Sequence, residues 1–292
     1  MTSQSVKNKI ALGTVQFGLA YGINNKSGKP SQEETSDILN IARKNGVTLL
    51  DSADAYGNSL DVIGLYLSQH PNSGFEIISK FTEDDQSLSK KLEASLERLR
   101  ISKLYGYMYH RFDEYQRGTN KPTLLQLKEK GLIERIGVSV YDEEELAMVV
   151  DDSVVDFIQI PFNVLDSSEE KMNLFRQAKK HGKEIHVRSI FLQGLFFKHP
   201  NELTGNLIGL KVALTQFNEL LREFNLNITQ LCLNYALYNP LIDRVIIGVE
   251  KAFQLEQNLD AVLSDFPAEL LEKLDSITIS DRKLLNPSNW KA

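Results

Sequence analysis

The sequence lacks the features on which several large classes of protein depend. Its single cysteine, Cys232, can form no internal disulfide and excludes zinc sites built from cysteine ligands. No run of about 18 apolar residues occurs, so we expect no membrane-spanning segment. Residues 1–9 are polar and lack the apolar core of a signal peptide. Together these absences predict a cytoplasmic protein.

Positive charge is also scarce and scattered. The 33 Lys and Arg residues are outnumbered by 39 Asp and Glu residues, the formal net charge is −6, and no basic tract is present. A surface that binds nucleic acid needs clustered positive charge to neutralise phosphates. We therefore expect neither nucleic acid nor a membrane among the partners.

Two common kinds of catalytic site are missing as well. The histidines share no metal-ligand spacing, so no metal site is predicted. No G-x-S-x-G turn is present, which argues against serine-hydrolase chemistry. The chemistry must be carried by other side chains.

What the sequence does contain is a regular alternation of strand-like and helix-like segments. Eight short β-rich runs, nearly all followed by amphipathic helices, predict strands at 10–12, 48–51, 75–79, 104–109, 135–138, 157–160, 184–188 and 244–247. This alternation predicts a parallel sheet, and no linker or composition break marks a second domain. We predict one α/β domain over residues 1–292, a single (β/α)8 TIM barrel. The alternative, an open doubly wound sheet, usually carries a G-x-G-x-x-G turn after its first strand, and none is present.

The segments outside this repeat are predicted as follows. Residues 16–30 are expected to form a loop or hairpin, and Ser31 is expected to cap a helix that ends at Gly46. The C-terminal segment, about 264–292, is expected to pack its helices and tail on or near the barrel mouth. Trp290, near its end, is expected to pack rather than to be exposed.

Four polar residues follow successive predicted strands at regular intervals. Asp51 ends the second strand, Tyr56 lies in the loop after it, Lys80 ends the third strand and His110 ends the fourth. Lys80 follows Asp51 by 29 residues and His110 follows Lys80 by 30, about one strand–helix unit each. Catalytic groups of a (β/α)8 barrel lie at the carboxyl ends of its strands. We therefore predict that these four side chains meet at one mouth of the barrel.

These residue types form a coherent set for reducing a carbonyl group. A nearby ammonium lowers the pKa of a tyrosine, and a carboxylate keeps a buried lysine charged. In this interpretation Asp51 holds Lys80, Lys80 activates Tyr56, and Tyr56 donates a proton to a carbonyl oxygen that His110 orients. The hydride must come from a cofactor, because no side chain supplies one.

Several segments resemble the aldo-keto reductases. Residues 51–59 read DSADAYGNS and match the signature D-x-A-x-x-Y-G-x-S of that family. The lysine and histidine strands, 77–80 and 107–110, resemble it too, and the similarity runs from about Ile10 to Leu263. Shorter matches are LGT at 12–14, GVS at 137–139, IQ at 158–159, QGL at 193–195, and IIG at 246–248 with Asn258.

The resemblance implies a (β/α)8 barrel that binds NADPH, or less often NADH, without a Rossmann domain. It assigns the catalytic roles to Asp51, Tyr56, Lys80 and His110. The cofactor-binding residues that it implies are Gly13, Thr14, Val15, Asp51, Ser139, Gln159, Arg188, Ser189, Leu192, Gln193, Gly194, Leu195, Gly248, Lys251, Gln254, Gln257 and Asn258. Ser139 and Gln159 fall where the family binds the nicotinamide carboxamide, and residues 192–195 fall beside the pyrophosphate.

Some positions depart from the family pattern. Val140 follows Ser139 where an asparagine is usual, and Arg188 replaces the aromatic residue that commonly stacks on the nicotinamide. A guanidinium can also stack on a flat ring. The arginine often used for the 2′-phosphate of NADPH is Gln254 here, which leaves Lys251 as a point charge for that phosphate.

The resemblance also suggests a substrate and leaves alternatives open. The segments 187–189 and 286–290 are similar to a bacterial branch linked to surface-polysaccharide sugar metabolism, which implies a keto-sugar. The leading hypothesis is a reductase of small-molecule carbonyl compounds, a monomer or small homo-oligomer. A cofactor-binding regulatory subunit with little turnover is the second, and an isomerase or aldolase using Lys80 as a Schiff-base nucleophile is the third.

Overall fold

The computed structural model describes residues 6–22, 25 and 27–291. Eight parallel strands close into a barrel in sequence order, with the last strand paired to the first. The strands are β1 (Ile10–Gly13), β2 (Leu49–Asp51), β3 (Glu76–Phe81), β4 (Leu104–Tyr109), β5 (Ile133–Ser139), β6 (Phe157–Pro161), β7 (Glu184–Arg188) and β8 (Arg244–Gly248). The predicted (β/α)8 barrel is confirmed, and the open doubly wound sheet is wrong.

Helices connect the strands on the outside of this barrel. They are α1 (Val15–Gly18), α2 (Gln32–Lys44), α3 (Ser59–Gln69), α4 (Leu88–Leu99), α5 (Phe112–Arg117), α6 (Lys121–Glu129), α7 (Glu143–Val149), α8 (Glu169–Lys180), α9 (Lys211–Glu223), α10 (Ile228–Leu237), α11 (Ala252–Asp260) and α12 (Ala268–Asp275). Five 3-10 turns occur at Leu192–Phe197, Pro200–Glu202, Gly205–Leu210, Arg282–Leu285 and Pro287–Asn289. No described helix is both long enough and apolar enough to cross a lipid bilayer.

The strand register brings residues that are far apart in sequence to one level at the rim. Gly13 pairs with Asp51 on one side and with Gly248 on the other. Ser139 pairs with Gln159 across β5 and β6. Because all strands are parallel, their carboxyl ends form a single mouth, and the loops that follow them surround it.

The barrel interior below this mouth is filled by side chains. A buried cluster takes one residue from each of six strands, namely Ala11, Leu49, Ile78, Met108, Phe157 and Ile246. Phe157 fits because its neighbours are glycines: a Cβ atom at Gly137 would lie 2.3 Å from its ring, and one at Gly106 would lie 2.9 Å away. The interior is therefore a packed core and not a channel.

Short turns account for most differences from the predicted elements. The predicted loop or hairpin at 16–30 overlaps α1, and α5 follows β4 as a short additional helix. Residues 192–210 form three 3-10 turns where no element was predicted. One or two turns are too short to show the periodicity that identifies longer helices.

The C-terminal tail contacts segments that follow three strand ends. The Arg282 guanidinium lies 3.1 Å from Glu143 and 3.3 Å from Asp166, which follow β5 and β6. The side-chain amide of Asn206, beyond β7, donates to the Asn289 carbonyl at 2.8 Å. Trp290 is half-buried and donates its indole N–H to the Leu284 carbonyl at 2.8 Å.

Candidate active site

A cavity of about 640 Å³ opens at the carboxyl ends of the strands. Each of the eight strands contributes a residue at or next to its carboxyl end: Gly13, Asp51, Lys80, His110, Ser139, Gln159, Arg188 and Gly248. Tyr56, in the loop after β2, also lines the cavity. The structure thus brings the four predicted catalytic side chains together at the level where a barrel enzyme places its chemistry.

Lys80 is the centre of this group. Its Nζ lies 2.5 Å from Asp51 Oδ2, 3.3 Å from the Ser52 carbonyl oxygen and 3.4 Å from Tyr56 Oη. Only 2% of the Lys80 side chain is exposed, so the ammonium is solvated by these three oxygens in place of water. Tyr56 therefore receives a hydrogen bond from a buried cation.

The pKa values follow from burial and from this pairing. Burial alone would lower the pKa of Lys80, but Asp51 and Tyr56 together raise it above its ordinary value. For Tyr56, burial raises the pKa, and this outweighs the lowering by Lys80. The prediction that Lys80 lowers the Tyr56 pKa describes one contribution correctly, but the net direction is upward because the phenolate would be poorly solvated.

His110 faces Tyr56 from the next strand. Its ring centre lies 5.8 Å from that of Tyr56, with the planes at 83°. Burial, together with the nearby Lys80 charge, lowers the pKa of His110 to about 4. The imidazole is therefore neutral around neutral pH, and a neutral imidazole has one N–H to donate.

The Tyr56 loop is held by a close contact with α1. A Cβ atom at Gly18 would lie 1.7 Å from the Tyr56 carbonyl oxygen, so only glycine fits there. Gly57 has a φ of +56°, a conformation in which glycine avoids a steric cost. The Ser59 hydroxyl donates to the Thr14 carbonyl at 2.9 Å and anchors the start of α3 to the end of β1. The backbone around Tyr56 is fixed from both sides.

Asp51 is held through both carboxylate oxygens. Oδ2 accepts from Lys80, and Oδ1 accepts from Gln159 Nε2 at 2.8 Å. Gln159 also lines the cavity beside Ser139, and the two side chains are almost fully buried. Gln159, Asp51, Lys80 and Tyr56 therefore form one connected polar network.

Most residues predicted to bind the cofactor line this cavity, and three do not. Those that line it are Gly13, Thr14, Val15, Asp51, Ser139, Gln159, Arg188, Ser189, Gln193, Gly194, Gly248, Gln254, Gln257 and Asn258. Leu192 and Leu195 lie in the hydrophobic core, 1% and 0% exposed. Lys251 caps α11, and its Nζ lies 3.4 Å from Glu34 Oε2.

The cavity also contains residues that sequence analysis did not select. Tyr141 lies under Arg188, whose guanidinium carbon is 4.5 Å from the centre of its ring. Glu250 lines the same wall as Gln254. Tyr141 lies two residues beyond Ser139 on the same strand-end loop, and that position is the only signal that could have identified it.

The cavity lining includes one buried polar atom that is left for a ligand or water to satisfy. Gln16 lies against Gly248, and its Oε1 is buried with no hydrogen-bond partner among the described residues. A buried acceptor of this kind is costly unless a ligand or water donates to it. The described residues contain no group of three or more His, Cys, Asp and Glu side chains placed to hold a metal ion.

Comparison with known proteins agrees with this geometry. Residues 9–279 match the model of the aldo/keto reductase family, which defines an oxidoreductase class built on this barrel. The chain belongs to the aldo/keto reductase family. Membership supports oxidoreductase activity on carbonyl compounds, and use of NADP is typical of the family.

Individual relatives are distant but extend over most of the chain. L-galactose dehydrogenase from Arabidopsis thaliana is 24% identical over 305 residues, covering 96% of this chain and 94% of that protein. Glyoxal reductase from Bacillus subtilis is 26% identical over 260 residues, covering 87% of each chain. A crystal structure of a Pseudomonas aeruginosa protein assigned to the same family has a TM-score of 0.64 at 23% identity and covers 90% of both chains.

Proposed function

We propose that this protein reduces an aldehyde or ketone with NADPH or NADH, using Tyr56 as the general acid. The observation that carries the proposal is the position of Lys80 between the Asp51 carboxylate and the Tyr56 hydroxyl, on the wall of a 640 Å³ cavity. When bound, the dinucleotide supplies the hydride. Ser139 and Gln159 would hold its carboxamide, and Arg188 would cover its ring.

Each of the catalytic side chains has a definite task in this proposal. The raised pKa of Tyr56 keeps its hydroxyl protonated, so a proton is available at neutral pH. The Lys80 ammonium, kept charged by Asp51, stabilises the phenolate that forms when the proton leaves. Neutral His110 donates a hydrogen bond to the carbonyl oxygen. A general acid of this kind contributes roughly 10²–10⁴-fold to the rate.

The same geometry argues against a Schiff-base mechanism. A lysine attacks a carbonyl carbon only as the neutral amine. The pKa of Lys80 is raised by its contact with Asp51, so the amine is protonated at neutral pH. Lys80 is therefore better suited to electrostatic stabilisation than to nucleophilic attack.

The substrate is proposed to be polar and small. Tyr141, Arg188 and His110 line the same cavity as Tyr56 and offer donors to oxygen atoms of a ligand. The names of the relatives indicate a sugar and a dicarbonyl as their substrates. A keto-sugar fits this set of donors, and a panel of keto-sugars, sugar aldehydes and simple aldehydes tests it. Turnover of simple aldehydes alone would contradict the keto-sugar.

We also propose where the protein acts and in what form. The lone thiol, Cys232, is buried and suits a reducing compartment such as the cytoplasm. The tail contacts made by Arg282 and Asn206 support a role for residues 264–292 in framing the mouth. We propose a single barrel domain that acts as a monomer or small homo-oligomer.

The general-acid role is tested by removing one oxygen atom. Tyr56→Phe is expected to lower turnover at least about 100-fold, read from the near-ultraviolet absorbance of the reduced nicotinamide. Tyr238→Phe is the matched control, because its hydroxyl donates to the Leu263 carbonyl outside this cavity. Equal turnover in Tyr56→Phe and the parent protein would overturn the mechanism.

The alternative function is a regulatory subunit that binds the cofactor. Tight cofactor binding with no turnover of any carbonyl compound would favour that alternative.

A further inference from the structure

We infer that this protein binds NADH more tightly than NADPH, because the Glu34 carboxylate occupies the helix terminus that would otherwise receive the 2′-phosphate. The inference rests on the proposed function, in which a nicotinamide dinucleotide fills the cavity. It concerns the end of the cavity that is far from the proton donor.

The lining of the cavity indicates where each end of a dinucleotide would lie. The reacting ring has to lie beside Tyr56, so the adenosine half would extend away from it. The part of the lining that leads to a helix terminus includes Gly248, Glu250, Gln254 and Gln257, which follow the end of β8. Its helix is α11, which begins at Ala252. The adenosine ribose therefore lies close to the amino terminus of α11.

A helix amino terminus normally attracts a phosphate through its free N–H groups and its dipole. Here the N–H of Ala252, the first residue of α11, and the two N–H groups before it are already engaged. The Ala252 N–H donates to Glu34 Oε1 at 2.7 Å. The N–H groups of Glu250 and Lys251 donate to Gln254 Oε1 at 2.7 and 3.1 Å. The terminus is thus occupied by a carboxylate and an amide of the protein itself.

Glu34 is firmly held in this place. It lies in the first turn of α2, where the Ser31 hydroxyl accepts its backbone N–H at 3.1 Å. Its carboxylate therefore lies near the amino termini of two helices, α2 and α11. Releasing it to make room for a phosphate would lose the bond to Ala252 and the contact with Lys251.

The local charge also opposes a phosphate. Lys251, the predicted phosphate ligand, is 3.4 Å from Glu34 and is paired with it. Glu250 adds a second carboxylate on the cavity wall. Among described residues lining the cavity, the lysine and arginine side chains are Lys80 and Arg188, and both lie at the Tyr56 end. A phosphate monoester carries about −1.5 to −2 charges at neutral pH, whereas a ribose hydroxyl is neutral and can donate to a carboxylate.

The test is a binding measurement on the ligand-free protein. Dissociation constants for NADH and NADPH are measured by calorimetry for the parent protein and for Glu34→Gln. The parent is expected to bind NADH about tenfold or more tightly than NADPH, because two carboxylates oppose the phosphate. Glu34→Gln keeps an acceptor for Ala252 but removes the charge. It is expected to tighten NADPH binding about tenfold and to change NADH binding less than about twofold.

The control and the outcomes separate this inference from the proposed function. Glu33→Gln removes the same charge from the neighbouring, exposed residue, and it is expected to leave both constants unchanged. The ratio of the NADPH and NADH dissociation constants of the parent protein is expected to fall as the salt concentration is raised, because salt screens charge repulsion. Tighter binding of NADPH by the parent, or equal effects of Glu33→Gln and Glu34→Gln, would overturn the inference alone. Failure of both dinucleotides to bind would overturn the proposed function as well.

Discussion

The guanidinium of Arg188 lies over the ring of Tyr141, 4.5 Å from its centre, at the edge of the cavity that holds Tyr56. The two residues come from the ends of different strands, β7 and the loop after β5. A guanidinium is flat on both faces, so one face packs on Tyr141 and the other can cover a second ring. Under the proposed function, the free face of Arg188 would cover the nicotinamide ring.

The role of Arg188 can be tested by changing its shape and charge separately. Arg188→Leu is expected to weaken binding of the reduced dinucleotide about tenfold, and Arg188→Lys to recover little, since an ammonium has no flat face. The measurement is a fluorescence titration, with Arg176→Leu on an exposed helix surface as the control. An unchanged affinity combined with a raised KM for the carbonyl compound would place Arg188 against the substrate.

We expect the ion pair of Asp51 and Lys80 to have a large effect on the free energy of unfolding. Asp51→Asn leaves a buried ammonium without its counter-charge, which costs roughly 3–5 kcal/mol in the free energy of unfolding. Adding Lys80→Met removes the charge and is expected to restore part of that loss. Urea denaturation measures both variants. Glu134→Gln, which breaks the exposed pair with Lys103, serves as the control and is expected to change the free energy of unfolding little, because solvent screens exposed charges.

If the double variant were no more stable than Asp51→Asn alone, charge burial would not explain the loss. A loss in Glu134→Gln as large as that in Asp51→Asn would lead to the same conclusion. In either case Asp51 would stabilise the site through its hydrogen bond to Gln159 and not through Lys80.

His110 is expected to make the protein less stable in mild acid. Its pKa is about 4 when folded and 6.5 in its ordinary environment, so the unfolded chain binds more protons between these values. The contribution to stability is present above pH 6.5 and is lost as the pH falls toward 4. Between about pH 7 and pH 5 the free energy of unfolding is expected to drop by about 2 kcal/mol from this residue. The drop is measured by urea denaturation at both pH values, and His110→Gln is expected to remove it. A drop of the same size in His110→Gln would assign it to other groups.

The close contact between Gly18 and Tyr56 predicts that adding one methyl group at residue 18 lowers turnover strongly. Gly18→Ala places a carbon 1.7 Å from the Tyr56 carbonyl oxygen, so the Tyr56 loop has to move. Turnover is expected to fall about 100-fold, because small displacements of a reacting group have large effects. At Gly118 an added carbon meets nothing within 4 Å, so Gly118→Ala is expected to lower stability modestly without changing turnover. Full activity in Gly18→Ala would show that the contact does not position the acid.

The sequence was sufficient to predict the barrel and the clustering of Asp51, Tyr56, Lys80 and His110 at its mouth. Strands and helices alternate with a clear period, and Asp51, Lys80 and His110 recur once per strand–helix unit, so topology alone brings them together. The family signature at 51–59 identifies Tyr56 independently. Membership of the aldo/keto reductase family, inferred from these motifs, is confirmed by the match over residues 9–279.

Other details depend on contacts that no local pattern reveals. Glu34 and Ala252 are 218 positions apart, and nothing in the pattern around Lys251 shows that it has a carboxylate partner. Leu192, Gln193 and Gly194 all have positive φ angles, so the chain reverses its curvature there and turns Leu192 into the core. The role of Leu192 and Leu195 beside a pyrophosphate remains a prediction. Because their side chains are buried in the core, only their backbone atoms could contact the pyrophosphate.

The Phe157 ring, which fills the barrel interior, has a consequence for the order in which ligands bind. With the lower end of the barrel sealed by this ring and by the glycines that accommodate it, both reactants have to pass through one opening. Under the proposed function, the dinucleotide would lie along the lining from Tyr56 to α11, and the carbonyl compound would enter through the same opening. If the dinucleotide lies deeper, steric access would favour an ordered sequence in which it arrives first and departs last.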